Sequence, residues 1–210
     1  MSATRGFFIT FEGPEGSGKS SQAKRLVTAL RRTGRRVVSL YDPGTTVVGR
    51  RLRRVLLHER LALSPLVEAL LFIAGRVQLI TQSIRPALAQ GAVVVCDRYH
   101  DSTMAYQGYG GGLPVAWLDR LGRWAIAGLM PDLTIVLDLS PEAGLRRVKG
   151  AKDRMERKAL AFHRRVRRGF LTIAKCSPRR CVVLDATQPP NRIHRQILNT
   201  VSARLLAHHP

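Results

Sequence analysis

The chain has 210 residues, 45% of them hydrophobic and 23% charged, which is enough to bury a core and excludes a wholly disordered protein. No apolar run approaches the roughly 20 residues that span a membrane. The segment from Met1 to Phe11 lacks the long apolar stretch and cleavage site of a signal peptide, so a cytoplasmic protein is expected. Lys and Arg number 35 against 14 for Asp and Glu, a net charge of +21, and 29 of the 35 are Arg. Clusters of basic residues lie in four separate segments, Arg31–Arg36, Arg50–Arg54, Arg146–Lys152 and Arg164–Arg168, and not in one tail. Two readings stay open: a solvated Arg-rich surface set by codon bias, or attraction to polyanions such as nucleic acid. The cysteines, Cys96, Cys176 and Cys181, are odd in number and form no C-x-x-C, so neither a disulfide framework nor a zinc site is suggested. Cys96 reads as a small core residue.

In chain order, the pattern predicts a strand at Phe7–Phe11, a helix at Lys19–Thr33, a strand at Arg36–Leu40 and a helix at Val47–Glu59. Ser64-Pro65 then supplies an N-cap and a first-turn proline for a long helix, Pro65–Gln90, which Pro86 ends or kinks near its close. The strand Ala92–Asp97 follows. Gly110-Gly111-Gly112 reads as a flexible loop in preference to a second phosphate cradle. Helix Val115–Gly128, strand Leu133–Leu139, helices Pro141–Val148 and Arg157–Lys175, strand Cys181–Asp185 and a helix from about Asn191 to His208 complete the chain. Five apolar strands separated by helices argue a parallel sheet covered on both faces.

The first strand runs into Gly13-Pro14-Glu15-Gly16-Ser17-Gly18-Lys19-Ser20, which is G-x-x-x-x-G-K-[ST] between a strand and a helix. Glycines let the backbone fold around phosphate oxygens, and the helix beginning near Lys19 adds its positive dipole end. Lys19 would reach the β- and γ-phosphates, and the Ser20 hydroxyl would take Mg²⁺. Val93-Val94-Val95-Cys96-Asp97 is a buried strand ending in a carboxylate. Asp97 serves either Mg²⁺ or the N-cap of a following helix. These residues describe a P-loop phosphotransferase or nucleoside triphosphatase without naming the acceptor.

Further segments, taken together and in order, resemble the thymidylate kinase family over nearly the whole chain. They are the P-loop itself, Asp42-Pro43-Gly44-Thr45-Thr46, the run from Leu71 to Gln78, Asp97-Arg98-Tyr99 with the run from Ser102 to Gly108, Pro131-Asp132-Leu133-Thr134, and Asp153-Arg154-Met155-Glu156. The resemblance implies a three-layer α/β/α P-loop kinase fold with a five-stranded parallel sheet in the order 2-3-1-4-5. It implies one kinase domain over residues 1–210, with a short lid at about 146–157. The activity implied is transfer of a phosphoryl group from Mg·ATP to dTMP by a homodimer.

Site roles follow from the same likeness. Gly13, Gly16, Ser17, Gly18, Lys19, Ser20, Ser21 and Arg147 would bind ATP, with Ser20 and Asp97 at the metal. Phe72 would stack on thymine, Arg76 would reach its O4 and Thr103 its N3 edge. Tyr106 would pack under the deoxyribose, Gln107 would line the pocket and Asp42 would border it. Arg98 would hold the dTMP phosphate, and Glu15 would face the sugar and the metal waters. With no Arg among Pro14, Glu15 and Ser17, the lid must supply the extra cation, from Arg146, Arg147, Lys149, Lys152 or Arg154, of which Arg154 fits the family pattern best. Glu156 contacts the metal site or pairs with an Arg. Phe72, without the likeness, reads more readily as plain core. The sequence departs from the family at Tyr41, where Arg is common, at Asp42 in place of Glu, and at Thr45 in place of Gly. Two other functions stay open: a related kinase with a shifted acceptor, and a degenerate basic P-loop protein that binds nucleic acid.

Overall fold

In the computed structural model, which describes residues 6–59, 61–148, 150 and 153–208, Phe7–Glu12 forms β1 and is buried along its length. β1 pairs in parallel with β3 (Val93–Asp97) on one side and β4 (Leu133–Asp138) on the other. β2 (Val37–Tyr41) joins β3, and β5 (Cys181–Asp185) joins β4. The order is β2-β3-β1-β4-β5, as the resemblance implies. Successive strand side chains point to opposite faces. Ile9 and Phe11 therefore pack under α1 (Lys19–Arg32) and α9 (Pro190–His208), against Leu26, Leu30, Ile197 and Val201. Phe8, Val94 and Cys96 pack on the other face against α3 (Pro65–Leu79), through Leu79, and against Ile84 and Leu88. Cys96 is thus a core residue, as expected.

Most predicted boundaries hold within a few residues, and three differences have physical causes. The helix α2 (Val47–Arg53) ends in a wider π-helical turn, Arg54–His58. The long helix neither ends nor breaks at Pro86: a π-helical turn at Ile80–Ile84, closed by the Arg85 amide on the Ile80 carbonyl, separates α3 from α4 (Arg85–Ala89). That wider turn makes room where the proline ring would crowd the preceding carbonyl. Finally, α5 (His100–Thr103) and a π-helical turn, Met104–Gly110, fill a stretch with no predicted element. This segment is almost entirely buried, so it shows no amphipathic period.

Of the expected loop Gly110-Gly111-Gly112, the first glycine instead ends this helical segment, and Gly111 and Gly112 form the turn after it. A Cβ on Gly110 would lie 2.8 Å from both the Phe162 ring and Val166 of α8 (Leu160–Cys176), so the glycine serves close packing of a helix end. The other helices, α6 (Val115–Ala125) and α7 (Pro141–Arg147), follow the predicted order.

Pro65–Ala89 is, among the described residues, long and apolar enough to cross a membrane by length and composition, which corrects the expectation that no stretch is. Here one face of it packs against the core and the other is exposed. Glu68 and Arg76 are 2% and 1% exposed and pair with other elements. Leu66, Leu70 and Val77 share an exposed face, and Trp117 and Trp124 of α6 are exposed as well.

Candidate active site

The P-loop connects β1 to α1. Gly16 and Gly18 have φ of 65° and 89°, a region costly for other residues. A Cβ on Gly16 would lie 2.1 Å from the Gly144 carbonyl of α7, so this position is closed to any side chain. Lys19, at the first turn of α1, donates to the Pro14 carbonyl at 2.7 Å and to Ser17 Oγ at 3.4 Å. Burial and the Arg98 charge push Lys19 down to about 8, against the pull of Glu15, Asp97 and Glu12. A polyphosphate beside it restores the charged form.

Ser20 and Asp97 meet where α1 begins and β3 ends, the Ser20 hydroxyl donating to Asp97 Oδ2. Asp97 Oδ1 is buried and has no hydrogen-bond partner among the described residues. The N-cap of α5 is Tyr99, with no side-chain capping bond, so Asp97 is not a cap. An orphaned carboxylate oxygen beside a hydroxyl fits Mg²⁺, an oxygen-seeking cation that keeps several waters and takes substrate phosphates as ligands. Among the described residues no cluster of three His, Cys, Asp or Glu could hold a metal.

Across from this pair lies Arg98. Its guanidinium donates to Glu15 Oε2 at 2.9 Å and lies over the Tyr106 ring, 5.0 Å from its centroid. The Tyr106 hydroxyl donates to Glu15 Oε1. Burial pushes Glu15 up, but Arg98, Lys19 and the Tyr106 bond outweigh it and hold the carboxyl at about 2. Behind Arg98 stands Glu12, accepting from the Tyr99 amide and the Ser102 hydroxyl. Burial and the Asp101 carboxylate push Glu12 up to about 8, against Ser102, Arg98 and Tyr99.

The far wall is built on α3 and α5. Arg76 Nε donates to Asp42 Oδ2 at 2.6 Å and Nη2 to Thr103 Oγ1 at 2.9 Å. Its Nη1 is buried without a hydrogen-bond partner among the described residues. Burial raises the Asp42 carboxyl and the Arg76 charge opposes it. Phe72, Tyr106 and Gln107 complete this wall. Together the two sides enclose a cavity of about 580 Å³. Its lining includes Glu15, Gly16, Gly18, Lys19, Ser20 and Ser21 of the P-loop and α1, Asp42, Phe72, Arg76, Thr103, Tyr106 and Gln107 of the far wall, and Asp97 and Arg98.

Four expected residues stand outside this lining. Gly13 offers its carbonyl to Arg98 at 3.4 Å, and Ser17 its hydroxyl oxygen to Lys19. Arg147 donates to the Ala186 carbonyl at 3.0 Å. Arg154, expected over the donor phosphates, donates instead to Glu68 Oε1 of α3 at 2.6 Å and to the Leu56 carbonyl, in the π-helical turn after α2, at 2.7 Å. Glu156 lines the cavity and accepts from the Asp153 amide at 2.9 Å. Lys149 and Lys152 lie outside the described residues.

The departures at the acceptor loop also find their place. Thr45 closes the turn by accepting from the Tyr41 amide and donating to the Tyr41 carbonyl. Its φ is not positive, so a β-branched residue is no strain there. Tyr41 covers Gly44, and Arg53 lies 5.9 Å from the Tyr41 ring centroid while lining the cavity. Sequence reasoning missed Arg53, Glu12 and Glu68. The available signal for the last two was an acid within an apolar run, which needs a partner when buried.

Glu68 gathers three donors: Arg154 and Lys158 on Oε1, and Gln107 on Oε2 at 3.1 Å. Glu68→Ala is expected to cost about 3 kcal/mol of stability, because Arg154 is left with a buried uncompensated charge. Urea unfolding of the two proteins measures it; a change under about 0.5 kcal/mol, the size of an ordinary surface substitution, would show that this hub carries no stability.

Comparison with known proteins agrees with this geometry. The family model described as Thymidylate kinase matches residues 11–197. Thymidylate kinase from Deinococcus radiodurans is 46% identical over 203 residues, covering 96% of this chain and 98% of the relative. Thymidylate kinase from Synechococcus sp. (strain JA-3-3Ab) is 47% identical over 200 residues, covering 95% and 97%. The solved structure of thymidylate kinase from Ehrlichia chaffeensis is 34% identical, with a TM-score of 0.78, covering 94% of this chain and 99% of that one. This chain therefore belongs to the thymidylate kinase family.

Proposed function

We propose that residues 1–210 act as one kinase domain, with a short lid at about 146–157, that transfers the γ-phosphoryl group of Mg·ATP to dTMP by direct in-line displacement. ATP-dependent phosphorylation of dTMP follows from the family; the residue roles, the Mg²⁺ requirement and the dimer are the proposal. The supporting observation is that a P-loop lysine and a base wall with an unspent Arg76 N–H open onto one cavity, with Arg98 in its wall.

In this reading the P-loop amides and Lys19 hold the β- and γ-phosphates, with Gly13 and Ser17 shaping the loop. Arg98 and Arg53 hold the acceptor phosphate. An acceptor phosphate oxygen bonds to the γ-phosphorus as the bridging oxygen leaves with ADP, and cations offset the repulsion between the two anions. Mg²⁺, held by Ser20 and Asp97, supplies further charge neutralisation when bound. Arg76 donates to a pyrimidine carbonyl, held in place by Asp42, and Thr103 serves the neighbouring ring edge. Phe72 stacks on the base and Tyr106 packs under the sugar. Arg147 borders the adenosine end, and Arg154 ties the lid segment to α3 through Glu68.

A coupled ADP-release assay with dTMP, dUMP, dCMP, dGMP, AMP and thymidine tests this. Turnover led by dTMP and abolished by EDTA is expected. Turnover led by another acceptor would overturn the base-wall assignment.

The exposed apolar side chains of α3 and α6 support a homodimer, despite the +21 charge. Trp124 is 81% exposed, so its replacement leaves the core intact. Trp124→Glu is expected to convert a dimer to a monomer in light scattering at micromolar concentration. A monomeric wild-type protein would rule the dimer out. The charge also favours weak nonspecific nucleic-acid binding, lost steeply with salt.

A further inference from the structure

Arg98 has φ of 68°, in the left-handed region, although it is not glycine. A residue held there needs surrounding contacts that outweigh the strain. Its own amide donates to the Phe11 carbonyl at 3.0 Å. The chain just after it is anchored twice by a single carboxyl group. Glu12 Oε1 accepts from the Tyr99 amide at 2.8 Å, and Oε2 accepts from the Ser102 hydroxyl at 2.6 Å. Ser102 Oγ in turn accepts from Arg98 Nη1 at 3.2 Å. Glu12 is fully buried, and it is the last residue of β1 before the P-loop. The strand that presents the donor loop thus also fixes the turn that presents Arg98.

We infer that Glu12 and Ser102 are positioning residues, which hold the Arg98 guanidinium in register with the acceptor phosphate. The inference rests on the reading that Arg98 binds that phosphate. A side chain that only stabilised the end of β1 would have no need to reach the Arg98 side chain through a hydroxyl. Here the second bond of the chain ends on the guanidinium itself. With Glu15 on the other nitrogen and the Tyr106 ring beneath, the guanidinium is held from three sides. Preorganisation of this kind matters for a group that must meet a phosphate oxygen within a few tenths of an ångström.

The test compares dTMP with thymidine, which carries the same base and sugar but no phosphate. Binding of each is measured by calorimetry for wild type, Ser102→Ala, Ser102→Thr, Glu12→Ala and Arg98→Ala. Ser102→Ala is expected to weaken dTMP roughly tenfold, the size of one hydrogen bond to a charged group, and to leave thymidine within about twofold. Ser102→Thr keeps the hydroxyl and should restore most of the loss. Glu12→Ala should act in the same direction as Ser102→Ala. If it does not fold, the two Ser102 variants carry the test alone. A merely structural role would lower the melting temperature while leaving the ratio of dTMP to thymidine affinity unchanged. An unchanged ratio in Ser102→Ala, together with a collapsed ratio in Arg98→Ala, overturns the inference. An unchanged ratio in Arg98→Ala overturns the reading of Arg98 itself, and the inference with it.

Discussion

Lys19→Ala is expected to lower kcat by about 10²–10³ or more, the loss typical when one preorganised group facing transition-state charge is removed. Lys19 is 6% exposed and is held by Pro14 and Ser17 inside the loop, so no neighbouring side chain takes its place. The same substitution has a second, opposite consequence for stability. The folded pKa of Lys19, about 8, lies below the ordinary 10.5 because burial and Arg98 disfavour its charge. A depressed lysine penalises the fold while both folded and unfolded chains carry the proton. That penalty is complete below about pH 8 and is relieved as pH rises from 8 towards 10.5, where only the unfolded chain still holds the proton. Wild type should therefore gain stability over this window relative to Lys19→Ala. Melting temperatures of the two proteins at pH 7, 8, 9 and 10 give the difference. A difference that stays flat across this range would show that Lys19 carries no such penalty. Retained turnover would remove Lys19 from the donor site.

The parts of this molecule that were legible from sequence are those whose chemistry is local. The P-loop is a contiguous segment whose glycines are demanded by backbone geometry, as Gly16 against Gly144 shows. The strands are short apolar runs between breakers, and all five lie where the pattern puts them, within one or two residues. What was not legible depended on contacts between distant segments. The helix from His100 to Gly110 is buried on every side, so it offers no period to read. Glu68 and Arg154 are 86 positions apart, and only the folded chain brings them within 2.6 Å. Local sequence around Arg154 looks like a free lid arginine, whereas its strongest contact is a carboxylate on another helix. Arg53 was missed for the same reason. It sits in an Arg-rich segment that reads as solvated surface, and the turn of α2 carries it to the cavity beside Tyr41. The unusual Tyr41 is explained in the same place. The residue at 41 covers Gly44, and a cation reaches that edge of the cavity from α2.

Arg98→Ala is expected to raise the KM for dTMP by roughly 10² and to lower kcat by a further 10-fold or more, while the KM for ATP stays within about threefold. The basis is that an Arg bound to a phosphate acts on both ground and transition states, and loses more in the latter as charge builds between the two phosphates. A KM effect without a kcat effect would make Arg98 a binding residue only. The acid stability of the variant provides an independent check. Glu15 is held at about 2, below its ordinary 4.5, by cations of which Arg98 is the largest contributor. A depressed carboxyl stabilises the fold above its unfolded pKa, and that stability is lost as pH falls from 4.5 towards 2. Without Arg98 the Glu15 pKa rises, so the variant has less of this stability to lose. The two proteins should therefore differ most in stability above pH 5 and converge as pH falls towards 2. Urea midpoints at pH 7, 4 and 3 give the trend. A gap that does not narrow would show that Arg98 stabilises the fold through packing on Tyr106 rather than through Glu15. In that case the fall in activity should be checked against a repacked Tyr106, whose ring now lies under the guanidinium.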